Sequence, residues 1–488
     1  MTKPIVVWFR RDLRLADHAA LSAAAATGRP VIPLFVLDDD VAGDWARGGA
    51  SRWWLHHSLA ALKKALGGVG GDLVLRRGTT RDVIADAARE AGAGDVYCSR
   101  GYEPWSSGLE TDVRDVLAAH GVAFKRFAGV LLHDPDQVTT QAGQPFKVFT
   151  PFWNAVRRLE VRKPLEAPKR LTVPSKLPKS EHLKDWALLP KRPDWAGGLR
   201  EMWVPGEERA RDLLGEFIDD RMSDYAEARD RPDVEGTSRL SPYLAFGEIS
   251  PRQCWFAVKS AAGRMTHADK GAEVFLKELA WREFSAHLLH HWPTFPKVAF
   301  REEFERLRWR NDAAHLSAWQ RGLTGYPIVD AGMRELWATG WMHNRVRMIV
   351  ASFLIKDLLL PWQEGEAWFW DTLVDADLAN NAANWQWVAG SGADAAPYFR
   401  IFNPVKQGET FDPVGAYVRR WVPELASLPD KAIHAPWLAA QNVLDAAGVS
   451  IGDSYPAPIV DHADARKRAL AAFEHVKRKT AGKSRSRA

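Results

Sequence analysis

The chain has 488 residues, of which 46% are hydrophobic and 26% are charged. This length exceeds one ordinary hydrophobic core, so the composition indicates a soluble globular protein of at least two domains. A net charge of +5 mildly favours polyanionic partners. No apolar run reaches the roughly 18 residues that a membrane span needs. Cys98 and Cys254 are the two cysteines and form no CxxC pair, so we expect a cytoplasmic protein without a thiolate metal site.

The first part of the chain alternates short β-rich runs with helical patterns. The predicted strands are Pro4–Phe9, Val31–Leu37, Asp72–Arg76, Asp95–Ser99 and Val122–Phe127. The helices predicted between them are Asp17–Thr27, Ser51–Leu66, Thr80–Ala91 and Leu109–Ala119. This alternation predicts an α/β domain over residues 1–132 with a doubly wound, mostly parallel five-stranded sheet.

A charged segment, FRRDLRLADH, follows the first predicted strand in place of a GxGxxG dinucleotide motif. It contains three arginines and two aspartates: Arg10, Arg11, Asp12, Arg14 and Asp17. Two interpretations stay open for this cluster. It could face a phosphate, or it could form an ion-paired surface loop.

The second part of the chain is predicted to be all-α. Residues 133–205 form a linker whose Pro- and Lys-rich stretch, Val161–Trp195, should run over the surface. Helical patterns then dominate residues 206–476, and residues 477–488 form a basic tail. The clearest predicted helices are Glu207–Tyr225, Ser250–Ala262, Gly271–His291, Asn311–Arg321, Pro327–Gly340, Arg345–Leu360 and Glu364–Asp371.

The most informative stretch is Asp371–Gly390, which is polar and rich in tryptophan. On a helix, four of its side chains would share one face: Asp377, Asn381, Asn384 and Trp385. Trp387 would leave the helix on nearly the opposite side. A carboxylate, two amides and an indole suit a planar ligand with hydrogen-bonding edges. An exposed amphipathic helix is the alternative interpretation.

Three further motifs carry polar residue types that could hold phosphate or nucleic acid. Gly236–Pro242 (GTSRLSP) precedes a helical run, so it is either a phosphate site at a helix start or a well-capped helix. KELAWREF and WMHNRVRM interleave basic side chains with indoles, which is typical of nucleic-acid binding but also of a Trp-rich core with ion-paired edges. The chain has no P-loop, no GxSxG elbow and no metal-ligand spacing, so we expect no metal site.

Taken together, these segments resemble the DNA photolyase/cryptochrome family over almost the whole chain. The matching runs are VVWFRRDLRLADH, EGTSRLSPYLAFGEISPRQC, KELAWREF, TGYPIVDAGMREL, TGWMHNRVRM, WQWVAGSGADAAPYFRIFNP and FNPVKQGETFDP. The resemblance implies an N-terminal α/β antenna domain and a C-terminal all-α domain that binds FAD.

The resemblance also implies roles for individual residues around the flavin. The ribityl and phosphate portion would be held by Tyr225, Thr237, Ser238, Arg239, Leu240 and Ser241. The isoalloxazine half would be held by Asp375 and Asp377, with Arg347 pairing with Asp375 and Asn381 opposite the flavin N5. Electrons would reach the flavin through Trp385, Trp362 and Trp309.

Within the family, the residues resemble a photolyase for cyclobutane pyrimidine dimers in UV-damaged DNA. Asn381 matches the photolyase type, and the paired histidines of (6-4) photolyases are missing. The dimer would be contacted by Glu278, Trp281, Arg282, Asn344, Arg345, Met348, Trp387 and Gln407. The alternatives are a cryptochrome blue-light receptor, a (6-4) photolyase, and a Trp-rich nucleic-acid-binding protein without a cofactor.

A second chromophore is implied in the α/β domain. Glu103 and Trp105 could serve methenyltetrahydrofolate, which we favour over a deazaflavin or FMN. The loop CSRGYEPWSSGLE departs from the best-known folate-binding version, because Trp105-Ser106 stands where that version has Asn-Glu. We expect the protein to act as a monomer.

Overall fold

A fully parallel five-stranded sheet forms the N-terminal part of the protein, whose computed structural model describes residues 2–264, 269–394 and 399–485. The strands are β1 (Ile5–Phe9), β2 (Val31–Leu37), β3 (Val74–Arg77), β4 (Asp95–Ser99) and β5 (Ala123–Phe127). Their order is β3-β2-β1-β4-β5, and every neighbouring pair is parallel. All residues of β1 and β2 are buried, as expected for apolar central strands covered on both faces. The predicted fold class is confirmed.

Four helices connect the strands: α1 (Ala19–Ala26), α2 (Gly49–Gly68), α3 (Thr80–Ala91) and α4 (Ser106–Ala119). Ile84 of α3 and Val113 of α4 pack into one core with Val6 and Val96 of the central strands. The helix α3 ends at Gly92, whose φ of +60° is the left-handed conformation that glycine adopts easily.

The predicted linker is ordered and lies along the sheet domain. It contains α5 (Phe149–Val156) and α6 (Gly197–Met202). Backbone hydrogen bonds join its irregular part to the sheet domain: the N–H of Val31 donates to the carbonyl of Thr172, and that of Glu181 to the carbonyl of Leu75, both at 2.8 Å. These bonds supply the backbone partners that a segment without regular structure otherwise lacks.

The remaining elements are helical. They are α7 (Glu207–Asp220), α8 (Tyr225–Ala228), α9 (Ser241–Phe246), α10 (Pro251–Ala262), α11 (Asp269–His291), α12 (Ala313–Gln320), α13 (Pro327–Thr339), α14 (Asn344–Ser352), α15 (Trp362–Thr372), α16 (Leu378–Ala389), α17 (Pro404–Phe411), α18 (Ala416–Trp421), α19 (Asp430–Ile433), α20 (Gln441–Ala447) and α21 (His462–Arg485). A π-helical turn, Phe353–Asp357, continues α14. Most of the predicted basic tail is the end of α21, and residues 486–488 lie outside the described residues.

The chain divides into two compact units that interleave along the sequence. Unit 1 comprises Met1–Ala226, Ser238–Pro293 and Val374–Ala379, and unit 2 comprises Glu227–Thr237, Thr294–Leu373 and Asn380–Ala488. The domain boundaries expected after residues 132, 205 and 476 stay predictions. Within the described residues, no helix is both long and apolar enough to cross a membrane.

Candidate flavin and lesion site

The segment that joins α15 to α16 corrects the single helical face predicted there. The helix α16 begins at Leu378, so Asp377 lies just before it rather than on its first turn. Asn381 is 9% exposed, and its Nδ2 donates to the backbone carbonyl of Glu366 at 2.9 Å. Asn384 is exposed and bonds back to the carbonyl of Asn380. Asn381 therefore faces the interior of unit 2, whereas Asn384 does not.

The two indoles of α16 leave the helix on different sides, as their spacing predicts. Trp385 is 2% exposed and packs edge-on against Phe369, with ring centroids 5.0 Å apart, and against Trp319 at 6.2 Å. Trp387 is half-buried and lines an open cleft. The cleft is also lined by Ser352, Lys356, Val388, Gly390, Arg400 and Phe402. One indole thus belongs to the core of unit 2 and the other to an accessible surface.

A glycine on α15 permits the close packing of Trp385. A Cβ atom added to Gly365 would lie 2.0 Å from the Trp385 ring. No side chain larger than hydrogen fits there unless the indole moves. Gly365, Phe369 and Trp319 are therefore part of the Trp385 environment, and the sequence pattern alone did not single them out.

We expect Gly365→Ala to destabilise the protein, because the added methyl group overlaps the Trp385 ring. Overpacking of this kind costs about 1–3 kcal/mol. Thermal unfolding should show a lower midpoint temperature for this variant. The matched control is Gly215→Ala in α7, where a Cβ meets no atom within 4 Å. That substitution should raise the midpoint, since alanine favours a helix over glycine. Equal midpoints for the two variants would contradict the packing described.

The other two tryptophans of the predicted electron route lie in neighbouring segments of unit 2. Trp362 is the first residue of α15 and is 2% exposed, whereas Trp309 is half-buried. The N–H of Arg310 donates to the carbonyl of Leu359 at 2.8 Å, so the chain around Trp309 is tied to the segment that leads into α15. Trp385 meets α15 at Gly365, one turn beyond Trp362.

The predicted phosphate segment precedes α9. Leu240 is the N-cap residue and has no side-chain capping bond, whereas Ser241 is the first helical residue. Ser238 Oγ accepts from the Leu240 N–H at 3.4 Å, and Arg239 has a φ of +51°. Leu240 therefore offers no side-chain cap to α9.

Tyr225, the other residue expected to hold the ribityl and phosphate portion, is the first residue of α8 and is 7% exposed. Its ring packs edge-on against Phe217 at 5.1 Å and Phe275 at 5.8 Å. The aromatic contacts fix the ring in the core of unit 1.

The helix α11 carries Glu278, Trp281 and Arg282, which are all half-buried. The Trp281 indole stacks on Phe149 of α5 with ring centroids 3.6 Å apart and an interplanar angle of 7°. Arg282 Nη2 donates to the carbonyl of Leu244 at 3.2 Å. The Phe149 contact fixes the plane of the indole by occupying one of its faces.

The start of α14 carries the residues predicted from WMHNRVRM. Arg345 Nη2 pairs with Asp230 at 2.8 Å, and its guanidinium lies 4.3 Å from the centre of the Phe411 ring. Arg345 therefore has an ion-pair partner that the sequence did not indicate. Arg347 Nε donates to the carbonyl of Met342 at 2.7 Å. Whether Arg347 also pairs with Asp375 stays a prediction.

Three further residues predicted to contact the lesion belong to unit 2. Asn344 is exposed and Met348 is half-buried. Gln407 is half-buried, and its Oε1 is a buried acceptor without a hydrogen-bond partner among the described residues. A buried unpaired acceptor is unfavourable unless a ligand or water satisfies it.

His343 caps α14. Its Nδ1 accepts from the Arg345 N–H at 3.2 Å. Burial lowers the pKa of His343 to about 4, and the charges of Arg345 and Arg347 act in the same direction. The imidazole is therefore neutral at physiological pH, as a capping acceptor must be.

Three of the five charged residues after β1 are buried, so the segment is not a surface loop, which corrects one of the two interpretations. Asp12 and Arg14 are 1% exposed, and Asp17 is fully buried. Arg14 donates to the backbone carbonyls of Gly247 and Asp17, both at 2.8 Å. Asp17 also pairs with Arg252 at 3.0 Å, so the segment forms ion pairs, but they lie inside unit 1.

Glu103 and Trp105, the expected antenna residues, lie at the start of α4. Glu103 Oε1 accepts from Arg11 Nη1 at 2.8 Å, and Oε2 accepts from Ser106 Oγ at 2.8 Å. Burial alone would raise the pKa of Glu103, but Arg11 and Arg10 lower it to about 2. Trp105 is the N-cap residue of α4 and is half-buried.

Comparisons with known proteins agree with this architecture. Residues 5–169 match the model of the DNA photolyase family, and residues 275–475 match the model of the FAD binding domain of DNA photolyase. A deoxyribodipyrimidine photo-lyase of Agrobacterium fabrum is 51% identical over 98% of this chain and 99% of its own. Cryptochrome-2 of Arabidopsis thaliana is 37% identical over 96% of this chain and 78% of its own. The crystal structure of a bacterial class III photolyase from Agrobacterium tumefaciens superposes with a TM-score of 0.95 at 51% identity, covering 98% of each chain.

The parallel sheet, the helical region and the matched models define a flavoprotein with a photolyase FAD-binding domain. The chain belongs to the DNA photolyase/cryptochrome family.

Proposed function

We propose that this protein uses light and bound FAD to split cyclobutane pyrimidine dimers in UV-damaged DNA. The observation that carries the proposal is the 51% identity, over nearly the full length of both chains, to a deoxyribodipyrimidine photo-lyase. Asn381, Trp281 and Trp387 support it, because they supply the amide and the two indoles that the resemblance requires.

The residues proposed to hold FAD fit the chemistry of its two halves. The start of α9 suits phosphate oxygens, because backbone N–H groups point out of a helix at its N-terminus and the hydroxyls and guanidinium of Thr237, Ser238, Arg239 and Ser241 lie beside it in sequence. Tyr225 and Leu240 are also proposed to hold the ribityl and phosphate portion of FAD. The carboxylates of Asp375 and Asp377 suit the N–H edge of the isoalloxazine ring, with Arg347 as the partner of Asp375. Asn381 is oriented by its bond to the Glu366 carbonyl.

When bound and reduced, FAD supplies the light-excited electron that splits the dimer and takes it back afterwards. The protein's part is to bind the lesion outside the duplex and to exclude water around it. Flipping is less costly for a dimer than for an intact base because its pairing is already weakened.

The lesion residues divide by the interaction that each can make. Trp281 and Trp387 stack on the bases, and Met348 packs beside them. Glu278, Asn344 and the buried acceptor of Gln407 form hydrogen bonds to the lesion. Arg282 and Arg345 position its phosphates, and Arg345 would exchange its Asp230 pair for this contact.

Trp385, Trp362 and Trp309 are proposed to relay electrons that reduce the flavin under light. Indoles can be oxidised without a strong base, and intermediate carriers shorten each transfer distance. The packing of Trp385 on α15 and the bond between Arg310 and Leu359 support this order.

The α/β domain is proposed to bind methenyltetrahydrofolate as an antenna, in preference to a deazaflavin or FMN. Trp105 would stack on the pterin. Both carboxylate oxygens of Glu103 accept hydrogen bonds from protein side chains. Glu103 would therefore fix the loop in addition to contacting a bound chromophore.

We infer that the protein works as a monomer in the cytoplasm, with damaged DNA as its partner. A cryptochrome-like receptor is the second candidate, since Cryptochrome-2 of Arabidopsis thaliana matches over 96% of this chain. Asn381 favours repair, because plant-type cryptochromes usually carry aspartate at the matching position.

The lesion choice can be tested with the purified, chemically reduced protein. Illumination should restore thymines in oligonucleotides that carry a cyclobutane dimer and leave (6-4) products unchanged. The reason is that this chain lacks the paired histidines of (6-4) photolyases. Product analysis by chromatography measures both reactions. Repair of the (6-4) lesion alone would reverse the assignment of the substrate.

A further inference from the structure

Arg11 connects two carboxylates that belong to distant parts of the sequence. Its Nη1 pairs with Glu103 at 2.8 Å, and its Nη2 forms a short ion pair with Asp377. Its Nε donates to the backbone carbonyl of Ala245 at 3.0 Å. All four residues lie in unit 1. One planar guanidinium thus binds the loop before α4, the end of α9 and the loop before α16.

The backbone of unit 1 is built to hold Arg11 at this point. A Cβ atom on Gly247, whose φ is +69°, would lie 2.0 Å from the Arg11 carbonyl oxygen. Only glycine allows the two backbones to approach so closely. The N–H of Leu13 donates to the Phe246 carbonyl at 3.2 Å, which fixes the segment after β1 against the end of α9.

The loop that carries Asp377 belongs to the same compact unit as Arg11. The segment Val374–Ala379 belongs to unit 1, although the residues directly before and after it belong to unit 2. The ion pair with Arg11 gives this short segment a charged anchor within unit 1. The side chain of Asp377 is only 12% exposed, so its charge needs such a partner.

We propose that Arg11 is a positioning residue that fixes the Asp377 carboxylate for flavin binding and ties it to the Glu103 loop. This inference rests on the proposed role of Asp377 toward FAD. Burial by itself would lower the pKa of Arg11, but Asp377 and Glu103 raise it, so the guanidinium stays charged. The Nε, Nη1 and Nη2 atoms of Arg11 each have a partner, so the planar guanidinium fixes the Asp377 carboxylate more firmly than a lysine could.

The test compares Arg11→Gln with a matched control in full-length protein from which the flavin has been removed. Arg29→Gln is the control, because Arg29 also donates to backbone carbonyls and pairs with a buried carboxylate, Asp95. The exposed fractions match: 26% and 12% for Arg11 and Asp377, against 24% and 12% for Arg29 and Asp95. The dissociation constant for added FAD is measured by quenching of flavin fluorescence.

We expect Arg11→Gln to weaken FAD binding by about tenfold or more, and Arg29→Gln to leave it unchanged. The FAD affinity of Arg11→Lys should fall between those of wild type and Arg11→Gln, because lysine keeps the charge but not the planar guanidinium.

Asp377→Asn should weaken FAD binding by a similar factor. The double variant with Arg11→Gln should bind FAD no more weakly than the worse of the two single variants. Such non-additivity distinguishes a shared interaction from general destabilisation. The reduction potential of bound FAD should become more negative in Arg11→Gln, since a nearby positive charge is lost.

Two results would overturn the inference: Arg11→Gln binding FAD as tightly as the control, or single-variant losses that multiply in the double variant. If Arg11→Gln does not fold, the FAD affinities of Arg11→Lys, Asp377→Asn and their double variant are compared in the same way. Wild-type protein that takes up no FAD would instead refute the proposed function itself, and this inference with it.

Discussion

Trp385→Phe should slow the light-driven reduction of oxidised FAD by more than an order of magnitude. Phenylalanine keeps most of the packing against Phe369 but is far harder to oxidise than an indole. The rate is measured as the loss of oxidised-flavin absorption under blue light with an external reductant. Dimer repair by the chemically reduced variant should be nearly unchanged, because the relay is not needed once the flavin is reduced.

The control for this experiment is Trp8→Phe in β1. Trp8 is also 2% exposed, and its Nε1 has no hydrogen-bond partner among the described residues, so phenylalanine leaves no acceptor unpaired. Photoreduction at the wild-type rate in Trp385→Phe would show that electrons enter by another route. Equal losses in both variants would point to destabilisation.

Trp387→Ala should weaken binding of dimer-containing DNA, because the lesion would lose one of the two indoles proposed to stack on it. Stacking of a base on an aromatic side chain contributes about 1–3 kcal/mol, which corresponds to a loss of about 5- to 150-fold in affinity. Binding is measured by titration of a labelled oligonucleotide in the dark, so that no lesion is repaired during the experiment.

Trp337→Ala is the matched comparison for the cleft variant. Trp337 is 58% exposed and stacks on Trp368, with an interplanar angle of 8°, outside the set of residues that line the cleft. Its loss should leave dimer affinity within about twofold of wild type, since it contacts no lesion. Affinity that is unaffected by Trp387→Ala would exclude this indole from the lesion site.

The sheet and most helices could be predicted because their signals are local. Alternation of apolar strands with amphipathic helices gives β2, β4 and α3 their bounds to the residue. The opposite directions of Trp385 and Trp387 follow from helical geometry alone. These features need no knowledge of distant parts of the chain.

The features that the sequence did not predict depend on distant contacts. The sequence pattern predicts Asp377 on α16, but the helix begins one residue later. Arg345 pairs with Asp230, more than a hundred positions away, and Arg11 meets Asp377 across most of the chain. The charged segment after β1 resembled a surface loop because five charges rarely lie in a core unless partners from elsewhere neutralise them.

The most direct test of the proposed function is single-turnover splitting of a thymine dimer by purified protein. Four conditions are compared: light or dark, with protein that is FAD-loaded and reduced or stripped of flavin. We expect restored thymines only where light and reduced FAD are both present. Splitting in the dark or without flavin, or no splitting under any condition, would contradict it.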